Sequence, residues 1–510
     1  MEYNFLKHSV GYANRFLDTV NEQIVDVDIT LPDYCPDIEK ILKCTLIPKI
    51  YTRSISGGQL TVDGISVVRI LYCDSIKHNV RTFSQTVPFT ATFNLKSTPE
   101  QYVILCDTKC EYINCRALSP RKLVIHGAFS LSAKVVSKEQ NSFYSFDENC
   151  DLMAKEKEMK VSDLCVLCQE QFSFTEDITV SNKPSVESLL SYDVSVNITD
   201  LKSIHNKIML NAELVLNAMY IYDLDNGNIE HFSYVFPISR VIDCENVTDE
   251  TTNVPLLEVM SSDLHIRNDQ MNDGSLLNLD VKLCFSELGF MEKSINVIED
   301  VYSTTYMVEK EMGSLNVECE HSFESFTHIL KTALKLESVD IGKVIDIHCD
   351  SLALSPVISD GNLNLCGKLS LCMLLEDKDG NVSYIERIVE VDFKPQHTRS
   401  FDRVELKEVK VNSLSFRLSS DCTVDVRMEI KVSLLFCDVL SINSVVSVNA
   451  LEDKPIQKDD CSLILYFADK GEDVWDISKT YCTKQNLLMS ENSLEDTVLS
   501  ASQMLLIPTE

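Results

Sequence analysis

Gly58-Gln-Leu-Thr-Val-Asp-Gly64, which leads into Tyr72-Cys73-Asp74, is the stretch that decides the fold, because the chain repeats its spacing. Two further copies run from Lys207 to Asp223 and from Gly361 to Asp377. In each copy the aspartate stands 16 residues after the first residue. Self-similarity at a fixed interval is typical of chains built from repeated structural units. We therefore expect three related units of about 140–150 residues each.

Each copy is followed by a long stretch in which apolar and polar residues alternate. The apolar positions extend over residues 123–133, 277–285 and 424–434. A period of two places one face of a strand in a core and the other toward solvent. The pattern predicts a mainly β fold with three antiparallel, sandwich-like β domains in tandem. A small βααβ module is expected to follow them.

The domain boundaries follow from this repeat. We expect the first domain, with an N-terminal lead, at 1–145, the second domain, with a connector, at 146–310, the third domain at 311–450, a linker at 451–460 and the terminal module at 461–510. We interpret the stretches 146–170, with the charged run Lys155-Glu-Lys-Glu-Met-Lys160, and 303–325 as connectors, for which a helix is one option. Residues 37–44, after Pro36, favour a helical turn, and the polar run 451–460 is typical of a flexible tether.

The last fifty residues have a helical pattern between two short apolar stretches. Asp473 stands where a helix N-cap is needed, and the apolar face of that helix continues through Ile477 to Tyr481. Thr483 is expected to cap a second helix. For Leu463 and Leu465, on the first strand, we expect core positions.

The composition excludes several classes of function. The formal net charge is −32, with 46 Lys and Arg against 78 Asp and Glu, which disfavours nucleic acid and anionic membranes as partners. The N-terminus lacks an export signal and no stretch is long and apolar enough to insert into a membrane, so we expect a cytoplasmic protein. In that compartment the 19 cysteines are expected to be reduced thiols.

The sequence predicts no catalytic residue, no cofactor and no metal site. Cys165-Val-Leu-Cys168 has the spacing of a zinc ligand pair, but no second pair accompanies it. Histidine motifs of hydrolases and phosphate-binding glycine loops are absent from the sequence. Ser119-Pro-Arg-Lys-Leu123 favours a solvated hairpin with neighbouring carboxylates over a partner site.

The C-terminal stretch resembles a LysM module, whose pattern it shares at ten positions in order. These are Gly471, Trp475, Ile477, Tyr481, Asn492, Leu494, Gln503, Leu505, Ile507 and Pro508. Two motifs in the first repeat, Leu31-Pro-Asp-Tyr-Cys-Pro-Asp-Ile38 and Asn114-Cys-Arg-Ala-Leu-Ser-Pro-Arg-Lys-Leu123, resemble the SPOCS domain of clostridial sporulation proteins. SPOCS-type repeats followed by one LysM module are similar to a family of spore coat morphogenetic proteins.

This resemblance implies a non-enzymatic scaffold in the mother cell, at the forespore surface, that helps the coat encase the forespore. It implies that the LysM module binds the coat-basement ATPase of stage IV sporulation, and it allows other coat proteins as partners. The implied partner-binding residues are Lys470, Gly471, Glu472, Asp473, Trp475 and Asn492. Trp475 has two interpretations, packing within the module or anchoring an interface. The alternative function is a LysM protein that binds peptidoglycan or N-acetylglucosamine polymers of the spore cortex or wall.

Overall fold

The structure is a computed structural model of the 510-residue chain. It describes residues 5–146, 151–180, 183–267, 276–336, 340–359, 362–396, 401–457 and 463–508. Apart from two short helices near the C-terminus, the regular elements of these residues are β-strands.

The strands form three successive units, each with six strands in two three-stranded antiparallel sheets. The first unit contains β1 (Phe5–Thr30), β2 (Ile38–Ser56), β3 (Gln59–Asp74), β4 (Val80–Asn94), β5 (Tyr102–Ser119) and β6 (Lys122–Phe146). The second contains β7 (Leu152–Thr179), β8 (Ser188–Ile204), β9 (Lys207–Asp223), β10 (Asn228–Asp243), β11 (Thr252–Ile266) and β12 (Leu276–Ser303). The third contains β13 (Tyr306–Lys335), β14 (Ile341–Ser359), β15 (Asn362–Asp377), β16 (Val382–Phe393), β17 (Arg403–Ser420) and β18 (Thr423–Pro455).

The strand order is the same in all three units. One sheet has the second to fourth strands in sequence order, as in β2-β3-β4, and the other has the order β1-β6-β5. The repeated stretches of the sequence are the central strands β3, β9 and β15, and the long alternating stretches lie in the central strands β6, β12 and β18. The predicted mainly β fold with antiparallel sandwich-like units is confirmed.

The expected helical connectors are wrong. Residues 152–179 form strand β7 and residues 306–335 form strand β13, each paired along its length with the last strand of its unit. Residues 38–44 open strand β2 and do not form a helical turn. β7 and β13 are edge strands, each hydrogen-bonded to a strand on one side of the sheet only. Charged runs such as Lys155-Glu-Lys-Glu158 are typical of edge strands, because charge opposes hydrogen bonding to a further strand. The hydrogen bonds to β12 and β18 override the local helix preference.

Each unit has its own core, and three further clusters contain residues of all three units. Val10, Val161 and Val317, from the first strands of the three units, belong to one shared cluster. Val80, Leu190 and Ile345 belong to a second, between the sheets that contain β3, β9 and β15. A third joins Val103, Leu164 and Leu435. Equivalent elements of all three repeats therefore pack against one another.

Cations of the first unit cross to carboxylates of the second. The Arg53 guanidinium, 2% exposed, lies 3.1 Å from the Glu258 carboxylate, and Lys49 Nζ lies 3.1 Å from Asp263 Oδ1. The hydroxyl of Tyr192, in the second unit, also accepts a hydrogen bond from Lys49 Nζ at 3.0 Å. Pairing of this kind keeps buried charges from being left without partners.

Two glycines, Gly64 on β3 and Gly367 on β15, permit close contact between neighbouring strands. A Cβ at Gly367 would overlap the carbonyl oxygen of Ala353, and one at Gly64 would overlap that of Lys49. By the repeat spacing, the second unit has Glu213 at this position, and its side chain is exposed. The close approach is therefore a property of the first and third units.

We predict that Gly367→Ala destabilises the third unit by about 1–3 kcal/mol, because the methyl group meets backbone that cannot move without breaking sheet hydrogen bonds. The matched control is Glu213→Ala, which should change the free energy of unfolding by no more than about 0.5 kcal/mol. Chemical denaturation followed by circular dichroism measures both changes. Equal stability of Gly367→Ala and the unchanged protein would contradict the close contact.

Candidate functional site

The C-terminal residues form the predicted βααβ module. Its elements are β19 (Ile464–Ala468), α1 (Val474–Thr480), α2 (Gln485–Glu491) and β20 (Gln503–Ile507), and the two strands pair antiparallel. The Asp473 side chain caps α1 by accepting from the Trp475 backbone N–H at 2.9 Å, as predicted. The predicted cap of α2 is wrong: Lys484 holds the N-cap position without a side-chain hydrogen bond, and Thr483 is buried.

The segment before the module is only partly the expected tether. Strand β18 continues through Pro455, where it still pairs with Tyr306 of β13. Residues 458–462 lie outside the described residues. The first half of the predicted linker is therefore part of the third unit's sheet.

The module packs against the second unit through its single tryptophan. Trp475 is 3% exposed, and its ring meets that of Tyr302, at the end of β12, edge to face with centroids 4.9 Å apart. The Trp475 Nε1–H donates to Asp300 Oδ2 at 3.0 Å, and the Tyr302 hydroxyl donates to the Thr483 carbonyl at 2.7 Å. Trp475 therefore packs between the module and β12 of the same chain.

Asp300 is the charged centre of this contact. Lys479 Nζ of the module lies 2.6 Å from Asp300 Oδ2, and Lys310 of β13 pairs with the other carboxylate oxygen. Burial alone would raise the pKa of Asp300, but the hydrogen bonds from Lys310, Lys479 and Trp475 hold it well below its usual range. A second ion pair joins Lys155 of β7 to Asp473 at 2.7 Å. The contact thus combines an aromatic pair with two ion pairs across the interface.

The other predicted site residues lie around the module. Lys470 and Gly471 are exposed at the turn before α1, where Gly471 has a φ of +93° that favours glycine. The Glu472 carboxylate accepts from the Tyr466 hydroxyl at 3.0 Å. Asn492 donates to the Leu506 carbonyl at 2.7 Å and accepts from its N–H at 2.6 Å, which ties β20 to α2. Lys470 and Gly471 are therefore open to a partner, whereas Asn492 is used within the module.

The sequence reasoning missed an exposed apolar face on the β19–β20 sheet. Leu463, Leu465, Phe467 and Met504 are 55%, 56%, 69% and 63% exposed. The three residues at 463, 465 and 467 alternate onto one side, and Met504 is the cross-strand partner of Phe467. The expected core positions for Leu463 and Leu465 are wrong, because the core-facing set of this strand is Ile464, Tyr466 and Ala468. We call the four residues the module's apolar face.

The two motifs of the first repeat meet in space. Arg121 donates to Asp37 Oδ1 at 2.7 Å and to the Pro32 carbonyl at 2.6 Å, with further bonds to the carbonyls of Leu31 and Cys35. The second motif therefore closes the loop formed by the first. The predicted hairpin with neighbouring carboxylates is confirmed.

One arrangement of polar residues has the composition of a catalytic triad. His348 Nδ1 lies 2.7 Å from Asp346 Oδ2, and His348 faces Cys372 across the strand pair β14–β15. Cys372 has no exposed surface, so a substrate cannot reach the thiol in this structure. His231 of the second unit lies 3.6 Å from the same Asp346 carboxylate. The cluster therefore joins the second and third units.

The two cysteines of the Cys165-Val-Leu-Cys168 stretch both form hydrogen bonds to backbone carbonyls. Cys165 Sγ donates to the Gly289 carbonyl at 3.2 Å and Cys168 Sγ to the Asp243 carbonyl at 3.7 Å.

Neither helix in the described part of the chain has the length and apolar content needed to cross a bilayer.

The six-stranded units define a protein built of tandem β domains. Residues 37–118 and 185–264, about a third of the chain, match the family model described as "SipL, SPOCS domain". The matched regions contain β2–β5 and β8–β11, the same four strands of the first and second units. No curated protein and no solved structure matches the chain.

These two regions are thus similar to SipL-type SPOCS domains, and this similarity supports a sporulation-related protein. The matched regions do not include the C-terminal module, whose likeness to LysM is that of its sequence pattern and its βααβ order. The third unit repeats the strand order of the two matched ones.

We predict that Asp300→Ala releases the module from β12. The substitution removes the acceptor of the Trp475 indole and leaves two lysines without their carboxylate, at a cost of about 1.5–3 kcal/mol per charged hydrogen bond. Because Trp475 is the only tryptophan, its fluorescence reports the contact, and we expect a red shift with stronger quenching by acrylamide. The control is Glu299→Gln, which removes a more exposed pair with Lys157. An unchanged emission spectrum of Asp300→Ala would contradict the role of Asp300.

The same contact should weaken in acid. Since the pKa of Asp300 is lowered in the folded protein, its stabilisation is present above the ordinary aspartate pKa of about 3.9 and is lost as pH falls toward the lowered value. We expect the Trp475 red shift to develop below about pH 4. In Asp300→Asn this pH dependence should shrink, and an identical acid transition in both proteins would assign it to other carboxylates.

Proposed function

We propose that this protein is a non-enzymatic scaffold of spore coat assembly in the mother cell. The β units pack together through shared apolar clusters, and the C-terminal module binds a protein partner at the forespore surface. From the family resemblance, that partner is the coat-basement ATPase of stage IV sporulation, and binding it promotes coat localisation and encasement of the forespore. The observation that carries the proposal is the module's apolar face.

Four contiguous apolar side chains at the surface favour a protein interface. Scattered exposed apolar residues are ordinary, but a contiguous patch with a polar surround is typical of interaction sites. Phe467 supplies the large aromatic side chain expected at the centre of such a patch, with Met504 opposite it. Lys470 and Gly471, at the next turn, are proposed as contacts at its rim.

Trp475 and Asp473 contribute to partner binding by a different route. Both lie in the contact with β7 and β12, so their side chains orient the module on the β units. We propose that this orientation lets the partner meet the module and the β units together. Loss of Trp475 would then weaken binding without removing a direct contact.

The first test is Phe467→Glu in the full-length chain. A carboxylate in the centre of the apolar face should abolish capture of the ATPase, because its desolvation is not compensated. The matched control is Ile388→Glu, since Ile388 on β16 is also 69% exposed. Both proteins are used for affinity purification from sporulating cells, followed by mass spectrometry. Undiminished capture by Phe467→Glu would remove the apolar face as the docking site.

A second pair of variants separates anchoring from contact at Trp475. Trp475→Glu and Asp300→Ala should weaken ATPase capture to a similar extent if Trp475 acts by orienting the module. If Asp300→Ala exposes Trp475 and keeps full binding while Trp475→Glu loses it, Trp475 touches the partner directly. Capture of insoluble peptidoglycan in place of the ATPase would favour the glycan-binding alternative and overturn the proposed function.

A further inference from the structure

Glu318, His321 and Cys437 bring three different ligand types together at the junction of the second and third units. His321 and Cys437 are directly opposite each other on strands β13 and β18. Residues 318 and 321 are three apart, which in a regular strand places them on opposite faces. A bulge between Glu318 and Glu320 shifts the register and turns both side chains to one face. The ligand atoms of the three residues then lie within 4.8 Å of one another.

The cluster is largely sealed from water. The His321 side chain is 1% exposed, the Glu318 side chain is 22% exposed, and Cys437 is 1% exposed. The Phe290 ring of β12 stacks on His321 with centroids 3.8 Å apart. Burying an imidazole, a thiol and a carboxylate beside one another costs free energy, and this cost favours a function for the cluster.

Neighbouring groups already orient the ligands. Ser162 of β7 lies 2.7 Å from His321 Nδ1, which leaves Nε2 to face Glu318 Oε2 at 3.2 Å. Arg403 of β17 pairs with the other Glu318 oxygen, so Oε2 stays directed at the histidine. Hydrogen bonds on the far side of a histidine and a carboxylate are what metal-binding residues require to hold their orientation.

We propose that Glu318, His321 and Cys437 form a zinc site. Thiolate, imidazole and carboxylate are the ligands that Zn²⁺ takes in tetrahedral sites, with a water molecule in the fourth position. On binding, the Cys437 thiol gives its proton to solvent and the resulting thiolate bonds to the metal. The positive charge of Arg403 is shared with Glu405, 3.4 Å away, which limits its repulsion of the ion.

A zinc ion here would hold the second and third units together. It would cross-link β13 to β18, and through Ser162 and Phe290 it would fix this pair against β7 and β12. The ion pair between His321 and Glu318 explains why those two side chains lie together without a metal. It leaves unexplained why Cys437 faces them, since its thiol otherwise bonds only weakly, to the Asp438 carbonyl at 3.6 Å.

The test measures metal content and metal spectra of the full-length chain. The purified protein is stripped with a chelator, loaded with Zn²⁺ or Co²⁺ and desalted. We expect about one tightly held Zn²⁺ per chain, and in the Co²⁺ form a thiolate charge-transfer band and the visible bands of tetrahedral coordination. Cys437→Ser and His321→Ala should lose the bands and the bound zinc. Chelation should lower the melting temperature of the unchanged protein and leave that of the variants unaltered.

The control separates this site from the many other thiols. Cys73 is also buried in a strand, and Cys73→Ser should keep both the zinc and the Co²⁺ bands. Should Cys437→Ser fail to fold, Glu318→Gln, which preserves the shape of the side chain, should weaken zinc retention. Absence of tightly held zinc from the unchanged protein, or full retention of zinc and of the Co²⁺ bands by folded Cys437→Ser, would overturn the site.

Discussion

Strands β6, β12 and β18 are longer than the core of their own unit can cover, and this constraint shapes the whole molecule. In β12, Leu277 to Phe285 line the core of the second unit, while Ile295 and Val297 lie beyond it. The apolar residues of the outer halves need another surface to exclude water. These residues pack against the equivalent strands of the other units. The three repeats therefore pack together and are not structurally independent domains.

The acidic composition makes the positions of the cations informative. With 46 basic against 78 acidic residues, the chain carries excess negative charge that opposes close packing. Lys49 and Arg53 bridge the first and second units, and Lys155 and Lys479 bridge the terminal module to the second. Exposed ion pairs contribute little free energy of stabilisation. These pairs are partly buried between units, so they help to determine which surfaces pack against each other.

The terminal module uses its two sides differently. Trp475 and Lys479 of α1 face β12, whereas Phe467 and Met504 of the sheet face away from the β units. An interface was one of the two interpretations of Trp475 from the sequence, and Trp475 lies at a contact within the chain. This division leaves the apolar face exposed while contacts with the second unit hold the orientation of the module.

The mainly β class, the threefold repeat and the order of elements in the terminal module follow from residue patterns alone, because periodicity and spacing are local properties of the chain. The sequence predicted helices at 146–170 and 303–325 wrongly, since β7 and β13 owe their conformation to hydrogen bonds with strands β12 and β18, which are distant along the chain. The contact of Trp475 with Asp300, and the bulge that turns Glu318 toward His321 and Cys437, become visible in the folded chain. Contacts of this kind depend on register and on packing between units, which residue patterns along one strand do not encode.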